Sequence, residues 1–275
     1  MKVLTDLEAA RSVLPRAAAT TLVVRDGESG LEVLMVRRSM QASFMPGAYV
    51  FPGGAVDAAD AAADCAALCD ETEAALRRRI GAVTEVGEGA LAFAVAGLRE
   101  CFEECGLWLL GANRPVPHND VLAAQRARLH AGASVADVAR SADLALCTSA
   151  LVPWSHWVTP LGLPKRFDTL FFVANAPPGQ VPSVDAGETT TLAWVHPPAA
   201  LAAQARGEFQ MEFATVRTVE SLAPFAPSGS AALLAHAAGL VHLPPLHPRL
   251  HLGPDGRLLG VLLPGQPGYD RAVLR

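Results

Sequence analysis

Apolar and polar positions along the chain alternate between strand-like and helix-like periods. Residues 20–25 and 31–36 are β-branched and apolar, and Asp26-Gly27-Glu28-Ser29-Gly30 between them carries turn chemistry. That pattern predicts an antiparallel hairpin. Tyr49-Val50-Phe51 reads as a short strand ending at Pro52-Gly53-Gly54. Residues 57–80 are alanine-rich, with scattered acids and arginines, and predict one or two helices. A longer helix is predicted over 89–105, stopped by Gly106, since glycine suits the left-handed position that follows a helix end. Helical character returns over 119–146, and strand character over 168–175 and 192–195. Pro197-Pro198 opens a short helix through Ala205, the first turn being where proline is tolerated. The remainder predicts a helix over 230–240 and a hairpin about Gly253-Pro254-Asp255-Gly256. Strands interleaved with helices, with a hairpin and no internal repeat, argue for a mixed α/β fold.

Composition narrows the function classes. Of 275 residues, 51% are hydrophobic and 18% charged, which excludes a disordered chain. The length allows one large domain or two small ones. A net charge of −5 with no basic run argues against nucleic-acid binding. The longest apolar run, 90–98, includes Gly97 and is too short for a membrane span. Asp6, Glu8 and Arg11 interrupt the stretch where a secretory signal would need apolar residues, and a cytoplasmic location is expected. Five cysteines, an odd number, suit a reducing compartment. Cys65/Cys69 and Cys101/Cys105 lack the two-residue spacing of zinc knuckles and are expected to be small buried hydrophobes.

The chemistry concentrates in Arg99-Glu100-Cys101-Phe102-Glu103-Glu104-Cys105-Gly106-Leu107. On a helix, Glu100, Glu103 and Glu104 stand at i, i+3 and i+4, so three carboxylates crowd one face. Like charges at that spacing repel. A divalent cation reverses the sign of the effect, and hard oxygen donors at this density suit Mg²⁺ or Mn²⁺. Arg99 can reach Glu103 one turn on and fix its rotamer. Leu98 and Phe102 lie on the opposite, core-facing side, and Phe51-Pro52-Gly53-Gly54 supplies a loop whose bare backbone can approach a phosphate.

This segment resembles the box of the Nudix hydrolases. Arg99, Glu100, Glu103, Glu104, Gly106 and Leu107 match its second half, with Cys101 at the apolar position. Gly54 matches its opening glycine, and Asp60 stands where the family has Glu. The two halves are separated by an insertion of 31 residues. Closing a longer loop costs little extra entropy, so a helical insert can loop out without moving either half. Arg38-Ser39, Gly47 and Phe51-Pro52-Gly53-Gly54 fall at the spacing of the coenzyme A-cleaving branch, although Ser43 occupies its second Arg position. Ser43-Phe44-Met45-Pro46, His156-Trp157-Val158-Thr159-Pro160, Arg166-Phe167-Asp168-Thr169 and Leu263-Pro264-Gly265 extend the similarity to the long-insert, peroxisomal-type coenzyme A diphosphatases and their bacterial relatives.

The resemblance implies a Nudix fold, a mixed β-sheet sandwiched between helices. It implies a single domain over 1–275, with a core near 15–215, a helical insertion near 61–91 and a C-terminal extension over 216–275. It implies Mg²⁺- or Mn²⁺-dependent hydrolysis of coenzyme A or acyl-coenzyme A to 3′,5′-ADP and (acyl-)4′-phosphopantetheine. The alternatives are an NADH or ADP-ribose pyrophosphatase and a non-catalytic nucleotide-sensing module. Glu100, Glu103 and Glu104 are then metal ligands, Glu103 and Arg99 catalytic, and Gly53, Gly54, Arg38 and Arg166 substrate contacts. Asp185 and Glu188 are the external acids available as a base. Arg37 and Lys165 are further cations for a 3′-phosphate, and Trp154, Trp157, Phe171 and Phe172 candidate linings for an apolar arm. His156 carries no assigned role. The expected partner is a small nucleotide of the coenzyme A class, with no nucleic acid or membrane, and a homodimer is left open.

Overall fold

Two long strands, apolar on both faces, set the architecture. The computed structural model describes residues 3–4, 6–41, 46–112, 114–184 and 189–272. A short helix α1 (Leu7–Ser12), capped by the Asp6 side chain, leads into β1 (Arg16–Gly27) and β2 (Gly30–Arg38). The predicted hairpin forms, with Gly27 opposite Gly30, and β1 runs four residues further upstream than the apolar pattern. β3 (Tyr49–Val50) and β4 (Gly53–Ala55) follow. Along each strand the alternation of side chains decides which face a residue covers.

The insertion is a series of short helical pieces: a 3₁₀ turn at Ala58–Ala61, α2 (Ala63–Leu68), α3 (Glu73–Leu76), a π-turn at Arg77–Gly81 and α4 (Ala82–Thr84). The long helix α5 (Ala90–Cys105) comes next, then α6 (Asn119–His130) and α7 (Val135–Ser141). The helix expected over 119–146 is thus broken at Gly132, whose φ of 94° no continuing helix accommodates. β5 (Val152–Val158), β6 (Phe167–Asn175), β7 (Thr189–Val195) and α8 (Pro197–Ala205) complete the middle of the chain. Two helices, α9 (Phe213–Leu222) and α10 (Gly229–Ala238), and a hairpin of β8 (Arg249–Leu252) and β9 (Leu258–Leu262) form the rest. β5 and α9 had no sequence signal strong enough to predict them.

The main sheet runs β3-β2-β1-β6-β5, with β4 on β1 and β7 on β2. β1 pairs β6 in parallel and its other neighbours antiparallel, so the sheet is mixed. Val33 pairs Val24 of β1 and Val195 of β7, while Val36 pairs Val50 of β3 and Leu192 of β7. β3 is therefore on the same edge of β2 as β1. By the same reasoning, β4 pairs Ala18, Ala19 and Thr20 on the β2 side of β1. β1 and β2 separate after their hairpin end, and β3 and β4 fill the wedge. Phe51-Pro52-Gly53-Gly54 occupies this wedge, where the Pro52 carbonyl accepts from Thr21 N–H at 2.8 Å.

Both faces are covered, which is why the strands read as nearly continuous apolar runs. Val23, Leu34, Val36, Leu170 and Phe172 pack with α5, the insertion and α6–α7. Leu22, Val33, Met35, Phe171 and Val173 pack on the other side with α8, α9 and α10. The insertion does not loop out as the entropy argument allowed. Cys65, Leu76 and Ile80 are fully or almost fully buried in the first of these cores. Arg79 pairs Glu71 and also donates to the carbonyls of Leu151 and Thr148, at 2.6 and 2.9 Å. The physical reason is that its apolar residues bury more surface against α5 and α7 than an excursion into solvent would. Among the described residues no helix is long and apolar enough to cross a membrane.

Because Ile80 is completely buried, Ile80→Ala is expected to lower unfolding free energy by about 2–5 kcal/mol. Urea titration checks this, and an insertion that merely looped out would show almost no change.

Candidate active site

α5 carries its acids in an unfavourable place. The C-terminal end of a helix is the negative end of its dipole, and its last turn here contains no basic residue. Glu100, Glu103 and Glu104 all lie in the last two turns, so their compensation must come from elsewhere. The first source is Arg99, itself 8% exposed. Its Nε and Nη2 each donate to Asp60 at 2.9 Å, Nη2 also donates to the Ala55 carbonyl at 2.9 Å, and Nη1 reaches Glu100 at 2.8 Å and Glu103 at 3.0 Å. Burial acts to lower the Arg99 pKa, but the hydrogen-bonded Asp60 and the charges of Glu100 and Glu103 raise it above its ordinary value. Asp60 is completely buried and also accepts from the Asp57 N–H at 2.8 Å. The two ends of the interrupted motif meet in this ion pair.

The second source is Arg126 of α6. Its Nε and Nη2 donate to the Glu103 carbonyl at 2.8 and 2.6 Å, capping α5 from outside its own sequence. Its Nη1 donates to the Ser183 carbonyl and hydroxyl, and Ser183 N–H donates to the Cys105 carbonyl. Gly106 adopts φ 70° at the end of the helix, with Arg126 and Ser183 close against it. Asp185 and Glu188 follow shortly after, but lie outside the described residues, as does Ser43.

The glycines form a strand rather than the expected loop. β4 brings Gly53 N–H to Glu104 Oε2 at 3.0 Å. A Cβ at Gly54 would stand 2.4–2.6 Å from the Glu100 carboxylate, and one at Gly53 would stand 2.5 Å from the Ala19 carbonyl. Only bare backbone fits between β1 and the acidic helix. The resulting crowding raises carboxyl pKa values. Burial pushes Glu100 up to about 7, with Arg99 opposing and the Glu103 charge adding. Glu103 is raised as well, mainly by burial, with Arg99 and His130 opposing.

These carboxylates border a cavity of about 940 Å³. Gly53, Gly54, Arg99, Glu100, Glu103, Glu104 and Arg38 line it. Arg16 and Lys165 are further cations in its wall, and Trp157, Phe171, Leu163, Leu250 and Val261 supply apolar surface. Other expected contacts lie apart. Arg166 donates to the Thr159 and Val13 carbonyls at 3.0 Å each and does not line the cavity. Arg37 bonds the Gly47 carbonyl and lies over Tyr49. Trp154 bonds Ser221 in the α9–α10 core, and Phe172 is fully buried on the α5 side. His156 has a structural place, its ring joining the Thr84 carbonyl of the insertion to Asp168 of β6. Sequence reading missed Arg16, His130 and Glu212 as cavity residues, because each is isolated in the chain and reaches the wall only through tertiary packing. The five cysteines are free thiols. Burial pushes Cys65 up to about 11 and Cys69 up to about 12, so neither is poised as a thiolate.

Among the described residues, no three His, Cys, Asp or Glu side chains converge ready to share one ion. The donor chemistry nonetheless fits a hard divalent cation. Glu100 and Glu103 share the single Arg99 guanidinium, both are held above the ordinary carboxylate range by burial, and Gly54 leaves room against Glu100.

A mixed sheet between helical layers, an arginine-anchored acidic helix and a glycine strand against it are the features of the Nudix class. A family model, the NUDT19 Nudix domain, matches residues 7–216, and the chain belongs to that family. It is 31% identical over 220 residues to the acyl-coenzyme A diphosphatase NUDT19 of Gallus gallus, an alignment covering 64% of this chain and 56% of the relative. It is also 31% identical over 207 residues to that of Homo sapiens, covering 61% and 54%. The chain thus spans about half the length of these curated relatives. A crystal structure of a Nudix hydrolase from Alicyclobacillus acidocaldarius is similar with a TM-score of 0.66 and 28% identity, over 81% of this chain and 96% of that one.

Asp60→Ala would leave the Arg99 guanidinium buried without its main partner. The expected loss is about 3–5 kcal/mol of stability, read by urea unfolding, whereas Glu88→Ala, which breaks an exposed pair with Arg77, should leave the midpoint unchanged.

Proposed function

We propose that the chain is a Nudix hydrolase that cleaves the diphosphate of coenzyme A or acyl-coenzyme A, giving 3′,5′-ADP and (acyl-)4′-phosphopantetheine. The observation that carries this reading is one cavity bordered by the α5 carboxylates, by the cations Arg16, Arg38 and Lys165, and by an apolar wall. A nucleoside diphosphate joined to a long arm needs all three. The names of the relatives support the coenzyme A class.

Glu100, Glu103 and Glu104 would hold a Mg²⁺ or Mn²⁺ ion, which would supply Lewis acidity and charge neutralisation for the diphosphate oxygens. The chain's own residues prepare that site. Arg99 fixes the rotamers of Glu100 and Glu103, and Gly53 N–H orients Glu104. Gly54 lets the backbone lie against Glu100 without displacing it. Arg16, Arg38 and Lys165 offer positive charge to phosphate oxygens, including the 3′-phosphate that distinguishes coenzyme A from other adenine diphosphates. Arg166, engaged with two carbonyls, acts instead by holding the backbone beside Lys165.

Hydrolysis of coenzyme A, acyl-coenzyme A, NADH and ADP-ribose with Mg²⁺ or Mn²⁺ tests the reading. Release of 3′,5′-ADP is expected as the preferred outcome, and preferential cleavage of ADP-ribose or NADH would assign a different substrate. Glu104→Gln should stay folded and lose at least about 10- to 100-fold in turnover, the loss typical of partners one layer further from a metal ion. Chelation with EDTA should abolish turnover of the parent and re-addition of metal restore it. Parent-level rates in Glu104→Gln would remove the site assignment.

A further inference from the structure

Glu212 stands immediately before α9 and lines the cavity, yet its carboxyl is not used by the fold. It occupies the N-cap position of α9 without accepting from that helix's own N–H groups. Its Oε1 is sealed from water and has no hydrogen-bond partner, the one such side-chain atom among the described residues. Buried polar atoms are almost always paired, and an orphan is a cost that folding alone gives no reason to keep.

The backbone around it is firmly held. Gln210 accepts from Tyr49 N–H at 2.8 Å, Met211 N–H donates to Gln204 at 2.7 Å, and the Glu212 carbonyl accepts from Val216 N–H at 2.8 Å. Phe209 stacks on Tyr49 at 3.7 Å. The side chain is thus presented at the cavity wall from a fixed point. Burial pushes the carboxyl up to about 7, with the charge of Arg38 opposing. Phe51, Trp157, Phe171 and Phe213 line the same cavity. Of these rings Phe213 is the half-buried one, and a partly open ring one residue from a carboxylate suits a planar heterocycle that stacks and offers an N–H at its edge.

The geometry points to Glu212 as the residue that recognises the base of the nucleotide, its carboxylate accepting from the exocyclic amine of adenine. This rests on the nucleotide-diphosphate reading above and adds to it the group that selects the base. Arg38, beside it, is then positioned for a phosphate of the same nucleotide.

The test measures binding to the full chain by calorimetry, apart from turnover. AMP is expected to bind at least about tenfold more tightly than ribose 5-phosphate, and at least about tenfold more tightly than purine riboside 5′-monophosphate, which lacks the exocyclic amine. Glu212→Leu should erase the preference for AMP over the purine analogue, with ribose 5-phosphate affinity unchanged. Glu212→Gln, which keeps an oxygen acceptor, should retain most of it. Equal binding of AMP and the purine analogue to the parent overturns the proposal without any variant, as does an unaltered preference in Glu212→Leu. Failure of the hydrolase reading would look different, as a parent that binds nucleotide but cleaves no diphosphate with either metal.

Discussion

The contact between Arg99 and Asp60 is the point on which the site depends. A buried guanidinium needs its donors satisfied, and here Asp60 takes two hydrogen bonds, Ala55 one, and Glu100 and Glu103 one each. One residue thereby joins the chain before the insertion to the helix after it, and draws carboxylates together against their mutual repulsion. Arginine suits this place because its planar fork serves several oxygens at once, which a lysine ammonium on a flexible stem does not. Without that charge, burial alone would favour protonated glutamates.

The insertion depends on the same joint. Its ends are held by the ion pair, and its interior is held by Cys65, Leu76 and Ile80 in the main core. His156 adds a polar tie to Thr84 near its end. Helix α7 packs against its α2, α6 packs on α5 and α7, and Arg126 from α6 completes the circuit by capping α5 and fixing Ser183. Polar and apolar ties thus converge on the last turn of α5, where the acids are.

Much of this was legible in the chain, for definable reasons. The hairpin of β1 and β2, the span of α5 and its stop at Gly106 follow local rules of turn chemistry, periodicity and helix termination, and local rules survive folding. The acidic cluster was legible because its spacing fixes three side chains on one helix face before any tertiary contact forms. What was not legible arises from separation. Gly53 and Gly54 look like a loop, and become a strand only because β1 and β2 part to admit them. Arg166 looks like a phosphate ligand, but two backbone carbonyls that no pattern reveals take its donors. Glu212, a lone acid with no motif about it, became visible only through the absence of a partner.

Leu250 and Val261 of the β8–β9 hairpin and Pro248 just before it border the cavity, yet the family match ends at residue 216. The carboxylate-lined wall and this distal wall therefore belong to separate stretches of chain that meet only in space. Changes in the hairpin can reshape what the cavity accommodates while leaving the acid helix, its arginine and its glycine strand untouched. The shape of one chamber is thus set jointly by stretches far apart in sequence, and a change at its distal end need not pass through the acidic helix at all.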